Sequence, residues 1–192
     1  KNVSLLPYQG VIAITFVIFP LLSRSTFETD DVATRTYVRQ ALRTAWLLVV
    51  AIAAVIAAGG EGLAVALFGD AYALAGVTLV PMVIGMSCLA MLYLIGCVLI
   101  ASGRPRDALS ITLVVAVAEM ATLYMVASEA PAGQSLLARA AWTTAVAGLV
   151  GLVLGAARLV TTLRVKLPGA SFLRGALAGV VALTIASLLD HP

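Results

Sequence analysis

SRSTFETDDVATRTYVRQALRT, residues 23–44, is the one sizeable polar island near the start of an otherwise apolar chain, and its reading decides the fold. It separates two apolar runs and carries Arg24, Arg35, Arg39 and Arg43. From Asp31 onward the arginines recur every fourth residue on one helical face, while Val38, Ala41, Leu42 and Ala45 fall on another. Acidic Asp30 and Asp31 stand at the start, where a helix favours negative charge. The pattern predicts an amphipathic helix over 30–44 lying on a membrane surface, with Arg35, Arg39 and Arg43 toward headgroups and water. This helix runs into Trp46 and the next apolar stretch.

The composition agrees with a membrane setting. The chain is 62% hydrophobic and only 11% charged, with a mean hydropathy of +1.09. A soluble domain has roughly half its residues apolar. The net charge of +3 comes from the connections between apolar runs, so it speaks to topology and excludes a nucleic-acid interface. Cys88 and Cys97 lie roughly 13 Å apart along one helix, too far to join in a disulfide. The sole histidine, His191, is next to the C-terminal residue, so no metal site or His-based catalytic pair can be assembled. Nothing in the chain implies a cofactor or an enzyme. Lys1 leads into an apolar run without the layout of a signal peptide, and the chain reads as one joined partway through.

Each crossing of a bilayer needs roughly 20 mostly apolar residues. Six such runs are expected, which makes the fold class an all-α polytopic membrane helix bundle. Span one is Leu5 to Leu22, broken by Pro7 and Pro20 and holding Tyr8, Gln9 and Thr15. Lipid would reject the Gln9 amide, so Gln9 is expected to face protein or water. Span two runs from Ala45 to Ala58 and ends at a flexible Gly59-Gly60-Glu61-Gly62 turn. Leu63 to Phe68 is then too short to cross and reads as an interfacial or dipping piece. Span three is Val77 to Ala101, closed by Gly103 and Pro105, and span four is Ala108 to Ala127, with Glu119 well inside it. Span five, Leu136 to Ala157, carries Ala147, Gly151 and Gly155 at the spacing that lets membrane helices approach closely within one bundle. A basic link, Arg158 to Phe172, leads to span six, Leu173 to Leu189. The organisation is thus a bundle over 1–157 and a basic link with an additional helix over 158–192.

Alternating crossings collect three polar connections on one side. They hold ten of the twelve Lys and Arg residues, leaving Lys1 and Arg139 opposite, and the positive-inside rule makes the basic side cytoplasmic.

Three pieces carry a likeness to a known family: Pro20-Leu21-Leu22-Ser23-Arg24, Leu67-Phe68-Gly69-Asp70-Ala71-Tyr72 and Ala101-Ser102-Gly103-Arg104. In this order and spacing the chain resembles the C-terminal lobe of oligosaccharide and polysaccharide flippases, within the multidrug, oligosaccharidyl-lipid and polysaccharide exporter superfamily. The likeness covers most of Leu5 to Ala157. It implies a two-lobed transporter in the cytoplasmic (inner) membrane, whose lobes rock about a cavity to flip a polyprenyl-pyrophosphate-linked sugar for surface polysaccharides such as O-antigen. It implies further that span one lines that cavity and that an N-terminal lobe of the same protein is the partner. The family's basic form ends one helix before span six.

Flipping breaks no covalent bond, so the chemistry needed is a polar path, a cation for pyrophosphate and a switch. Arg24, at the end of span one, is either that cation or a headgroup anchor. Tyr8, Gln9 and Thr15 either line the sugar path or bond between helices. Glu119 costs at least roughly 2.5 kcal/mol at the bilayer centre if charged, so it either couples transport to a cation gradient or is held by a structural hydrogen bond or near water. A multidrug exporter of the same superfamily, a glycan polymerase or ligase, and a non-transporting scaffold are the competing readings. The short outer connections weigh against the polymerase.

Overall fold

The computed structural model describes residues 3–28, 31–69, 73–129 and 134–165, and in the C-terminal stretch 169, 172–175, 177–179, 181 and 184. Among these residues every element is helical. A single 3₁₀ turn, Val3–Leu5, leads into α1 (Leu6–Phe27), and then follow α2 (Asp31–Phe68), α3 (Ala73–Ala101), α4 (Pro105–Glu129) and α5 (Gln134–Leu163). Five of these helices are long and apolar enough to cross a membrane, making this a multi-pass membrane protein. Helices are the form such a sequence must take, because lipid offers no partner to an unpaired N–H or C=O.

Helix ends follow local chemistry. Pro7 lies in the first turn of α1 and Pro105 opens α4, positions where the missing N–H costs nothing. Asp31 and Asp107 stand in the first turns of α2 and α4. At the end of α3 the Arg104 N–H bonds the Leu99 carbonyl (2.9 Å) and the Gly103 N–H bonds that of Ile100 (3.0 Å). This is a Schellman closure, and it requires the left-handed φ of 75° at Gly103.

The centre of the bundle is α3. In its most apolar window 61% of residues are buried, against 6% in α4. One continuous core joins Val11 and Leu22 of α1, Val38, Leu42 and Val49 of α2, Met91, Leu94, Ile95, Val98 and Leu99 of α3, Ala108 of α4 and Leu159 of α5. The tightest approach is between α3 and α5. A Cβ at Gly148 would stand 2.9 Å from the Gly85 carbonyl oxygen, and one at Gly85 would stand 3.0 Å from the Ala145 nitrogen. The small-residue stripe of α5 therefore works inside the bundle, with Gly148, Gly151 and Gly155 as its close-contact members. Ala147 sits beside it and lines an apolar groove toward α4 instead.

Three expectations change. First, α2 is one helix of 38 residues that runs straight through Gly59-Gly60-Glu61-Gly62, so neither a turn there nor a separate piece over Leu63 to Phe68 exists. The helix ends at Gly69, whose φ is 85° and whose N–H bonds the Val65 carbonyl. Second, the amphipathic stretch is the first part of this same helix. Its apolar residues Val38, Ala41, Leu42 and Ala45 are buried in the protein core, so that face has no lipid left to lie on. At 1.5 Å per residue α2 is about 57 Å long and outreaches a hydrocarbon core of about 30 Å. Third, α5 continues through Arg158 to Leu163, so the basic link begins later than expected.

The expected sixth span, Leu173 to Leu189, lies largely outside the described residues. Those described near its start pack on α2. Trp46 Nε1 donates to the Phe172 carbonyl (3.2 Å), the two rings meet edge to face with centroids 4.9 Å apart, and Gly175 lies against the Trp46 indole.

Candidate functional site

Helix α1 has two distinct faces. Pro7, Val11, Thr15, Leu22 and Ser25 recur at helical spacing and are buried against the bundle, as is Ser4 of the preceding 3₁₀ turn. The opposite stripe, Leu6, Gln9, Ala13, Phe16, Val17, Pro20 and Arg24, is exposed, with Phe16 at 75% and Val17 at 66%. Gln9, Pro20 and Arg24 thus share one open face. The ends of this polar pair are about 22 Å apart along the axis. Pro20, inside the helix on the same face, lacks the N–H that would meet the Phe16 carbonyl.

The other expected path residues turn elsewhere. Tyr8 is half-buried and packs on Tyr93 of α3, with ring centroids 5.6 Å apart. Thr15 is buried, donates to its own helix at the Val11 carbonyl (2.8 Å), and borders a small apolar gap with Leu94 and Val98 of α3. Arg24 is exposed and donates through Nε to Glu28 Oε1 at 2.8 Å, a pair on one helix turn. A phosphate at Arg24 would compete with that carboxylate.

Glu119 is half-buried on the inward stripe of α4, one turn beyond Val115, and Val115 abuts Gly151 of α5. Among the described residues no hydrogen bond or ion pair to its carboxylate is present. Arg35, Arg39 and Arg43 form an exposed stripe on α2, and Arg35 lies 3.6 Å from Asp31.

At the basic end the three polar connections do meet. Asp107, at the start of α4, accepts from Arg158 of α5 at 2.8 Å and lies 3.9 Å from Arg104. Beside this junction is a polar cavity of about 430 Å³ between the ends of α1, α2, α3 and α5. It is lined by Ser25, Thr26, Asp31, Thr34, Arg35, Ser102, Arg104, Thr162 and Arg164, with Leu163 the one apolar member. Sequence spacing could not assemble it, because its residues come from four helix ends. Only the concentration of arginines in the three connections hinted at it. No protein-family model, curated protein or solved structure matches this chain.

Proposed function

We propose that the chain is the C-terminal lobe of an integral transporter that flips a polyprenyl-pyrophosphate-linked oligosaccharide across the cytoplasmic membrane by alternating access. The observation that carries this reading is the open face of α1. A primary amide left in hydrocarbon without partners costs several kcal/mol on the order of the water-to-alkane scale. Gln9 is exposed on a membrane-length helix, so its face needs water or a second lobe opposite. A cavity between two lobes supplies both. With Gln9 toward one end, Pro20 removing a backbone hydrogen bond and Arg24 at the basic end, that face offers a sugar-bonding amide, a weak point in the helix and a cation. Arg35, Arg39 and Arg43 then stand at headgroup level on the cytoplasmic side. An exporter of free organic cations would want carboxylates on this face, and α1 carries none between Leu6 and Phe27.

The test uses the intact protein carrying Cys88→Ala and Cys97→Ala, with a single new cysteine at Ala13→Cys or, on the lipid side of α4, Val117→Cys. A membrane-impermeant maleimide should label the first and spare the second. Equal labelling of both would remove the cavity. In vesicles, Gln9→Leu should slow flipping of a fluorescent polyprenyl-diphosphate oligosaccharide at least about fivefold, in line with loss of one buried polar contact. Unchanged flipping would discard the proposed path.

A further inference from the structure

The cavity at the basic end is built for an anion. Its floor is the hydroxyl pair Ser25 and Thr34, 4% and 8% exposed, whose oxygens are 2.9 Å apart and join the end of α1 to the start of α2. Its wall carries three guanidinium groups, Arg35, Arg104 and Arg164, against the one carboxylate of Asp31. Asp31 engages Arg35 at 3.6 Å and Asp107 lies 3.9 Å from Arg104, so Arg164 is the lining arginine with no acidic partner among the described residues. Arg104 is fixed there by the Schellman closure of α3. Among the described residues, no hydrogen bond or ion pair reaches the Arg164 guanidinium.

Arg164 is also the one described non-glycine residue with a positive φ, 51°. It is the left-handed closure of α5, which ends at Leu163, with the Arg164 N–H bonding the Val160 carbonyl (3.0 Å), a position that favours glycine and at which arginine costs stability. Guanidinium groups match phosphate oxygens bidentately, while the Ser25 hydroxyl donates to the Leu22 carbonyl (3.0 Å), so the hydroxyls shape the floor and the arginines supply the donors. A volume of about 430 Å³ is more than a single phosphate requires and admits a diphosphate or a glycerophosphate headgroup.

We infer that this cavity is a binding site for a phosphate-bearing anion, presented either as the headgroup of an anionic phospholipid or as a soluble diphosphate. It is separate from the open face of α1, since neither Gln9 nor Arg24 lines it, and it stands whether or not the transported substrate is the one proposed.

Two probes distinguish the sources. One is binding of radiolabelled inorganic pyrophosphate to the intact protein in detergent. The other is native mass spectrometry of phosphatidylglycerol carried over from mixed phosphatidylcholine and phosphatidylglycerol vesicles. Saturable pyrophosphate binding that weakens about tenfold in Arg104→Gln and in Arg164→Gly, but not in Arg43→Gln, supports the soluble source. Lipid carry-over that falls in the same two variants, without pyrophosphate binding, supports the headgroup. Arg164→Gly removes the cation while relieving the positive φ, so its melting temperature should match or exceed the parent's and a loss of binding is not a loss of fold. Absence of saturable binding for both probes, or equal binding in all three variants, overturns the site and leaves the arginines as counter-charges to the surrounding helix C-termini.

Discussion

Replacing Gly148 by alanine tests the packing that holds α3 at the centre of the bundle. The new Cβ would lie 2.9 Å from the Gly85 carbonyl oxygen and 3.1 Å from Cys88 Cβ, where ordinary contact begins at 3.4 Å. Backbone oxygen is the nearest obstacle, so no side chain can swing away and α3 and α5 must separate by a few tenths of an ångström. Overpacking of this kind costs about 1–3 kcal/mol. The alanine recovers about 0.5–1 kcal/mol of helix preference, leaving a net loss of about 0–2.5 kcal/mol. Gly96→Ala in α3 is the matched control, because a Cβ there meets no atom within 4 Å and only the helix preference changes. Reversible unfolding in mixed detergent, followed by tryptophan fluorescence, should therefore place Gly148→Ala below Gly96→Ala by about 1–3 kcal/mol, the helix preference cancelling between them. Gly85→Ala should behave like Gly148→Ala, since its Cβ meets the Ala145 nitrogen at 3.0 Å. The double variant should cost less than the sum, because the first substitution has already parted the helices. Gly148→Ala at or above the stability of Gly96→Ala would refute a close α3–α5 contact.

Trp46→Phe keeps an aromatic ring against Phe172 but removes the Nε1 donor to its carbonyl. The loss of about 0.5–1.5 kcal/mol should speed hydrogen exchange across 172–175 by roughly two- to tenfold while α3 is unaffected; unchanged exchange there would mean the segment is held by something else. If the proposed transport is coupled to a cation gradient through Glu119, Glu119→Gln should abolish that dependence in vesicles while preserving assembly; undiminished gradient-driven flux would leave the carboxylate a structural or water-facing role.

The parts of the fold that could be read in advance are those governed by the contrast between lipid and water. The apolar runs, the sorting of arginines to one end, and the alternation of Arg35, Arg39 and Arg43 with buried Val38, Ala41 and Leu42 all express that contrast. The centrality of α3 does not. Lipid tails are as apolar as a protein interior, so residues facing either have the same composition, and only small residues such as Gly85 and Gly148 mark a helix contact. The Gly59 to Gly62 run misleads for a related reason. In water four such residues favour a turn, but a break in a membrane-length helix would leave backbone groups without partners, and that outweighs a propensity loss of about 1 kcal/mol per glycine. The basic cavity was illegible because charge segregation places arginines at an end of the bundle without saying which helix ends converge.

The two polar regions meet at one point on α1. Arg24 ends the open stripe, and its neighbour Ser25 belongs to the buried stripe and bonds Thr34 of α2 at 2.9 Å. Adjacent helical residues are about 100° apart, so a rotation of α1 that turned Arg24 further toward a cavity would swing Ser25 along the α2 surface and break that bond. An anion held above the Ser25–Thr34 floor would bind best while the floor is intact. By linkage it would favour the state of α1 in which the bond is made, to the extent of its differential affinity and no further. If the open face of α1 is the transport face proposed above, occupancy of the basic cavity would bear on its attitude through this one hydroxyl pair, and Ser25→Ala would uncouple the two while leaving anion binding in place.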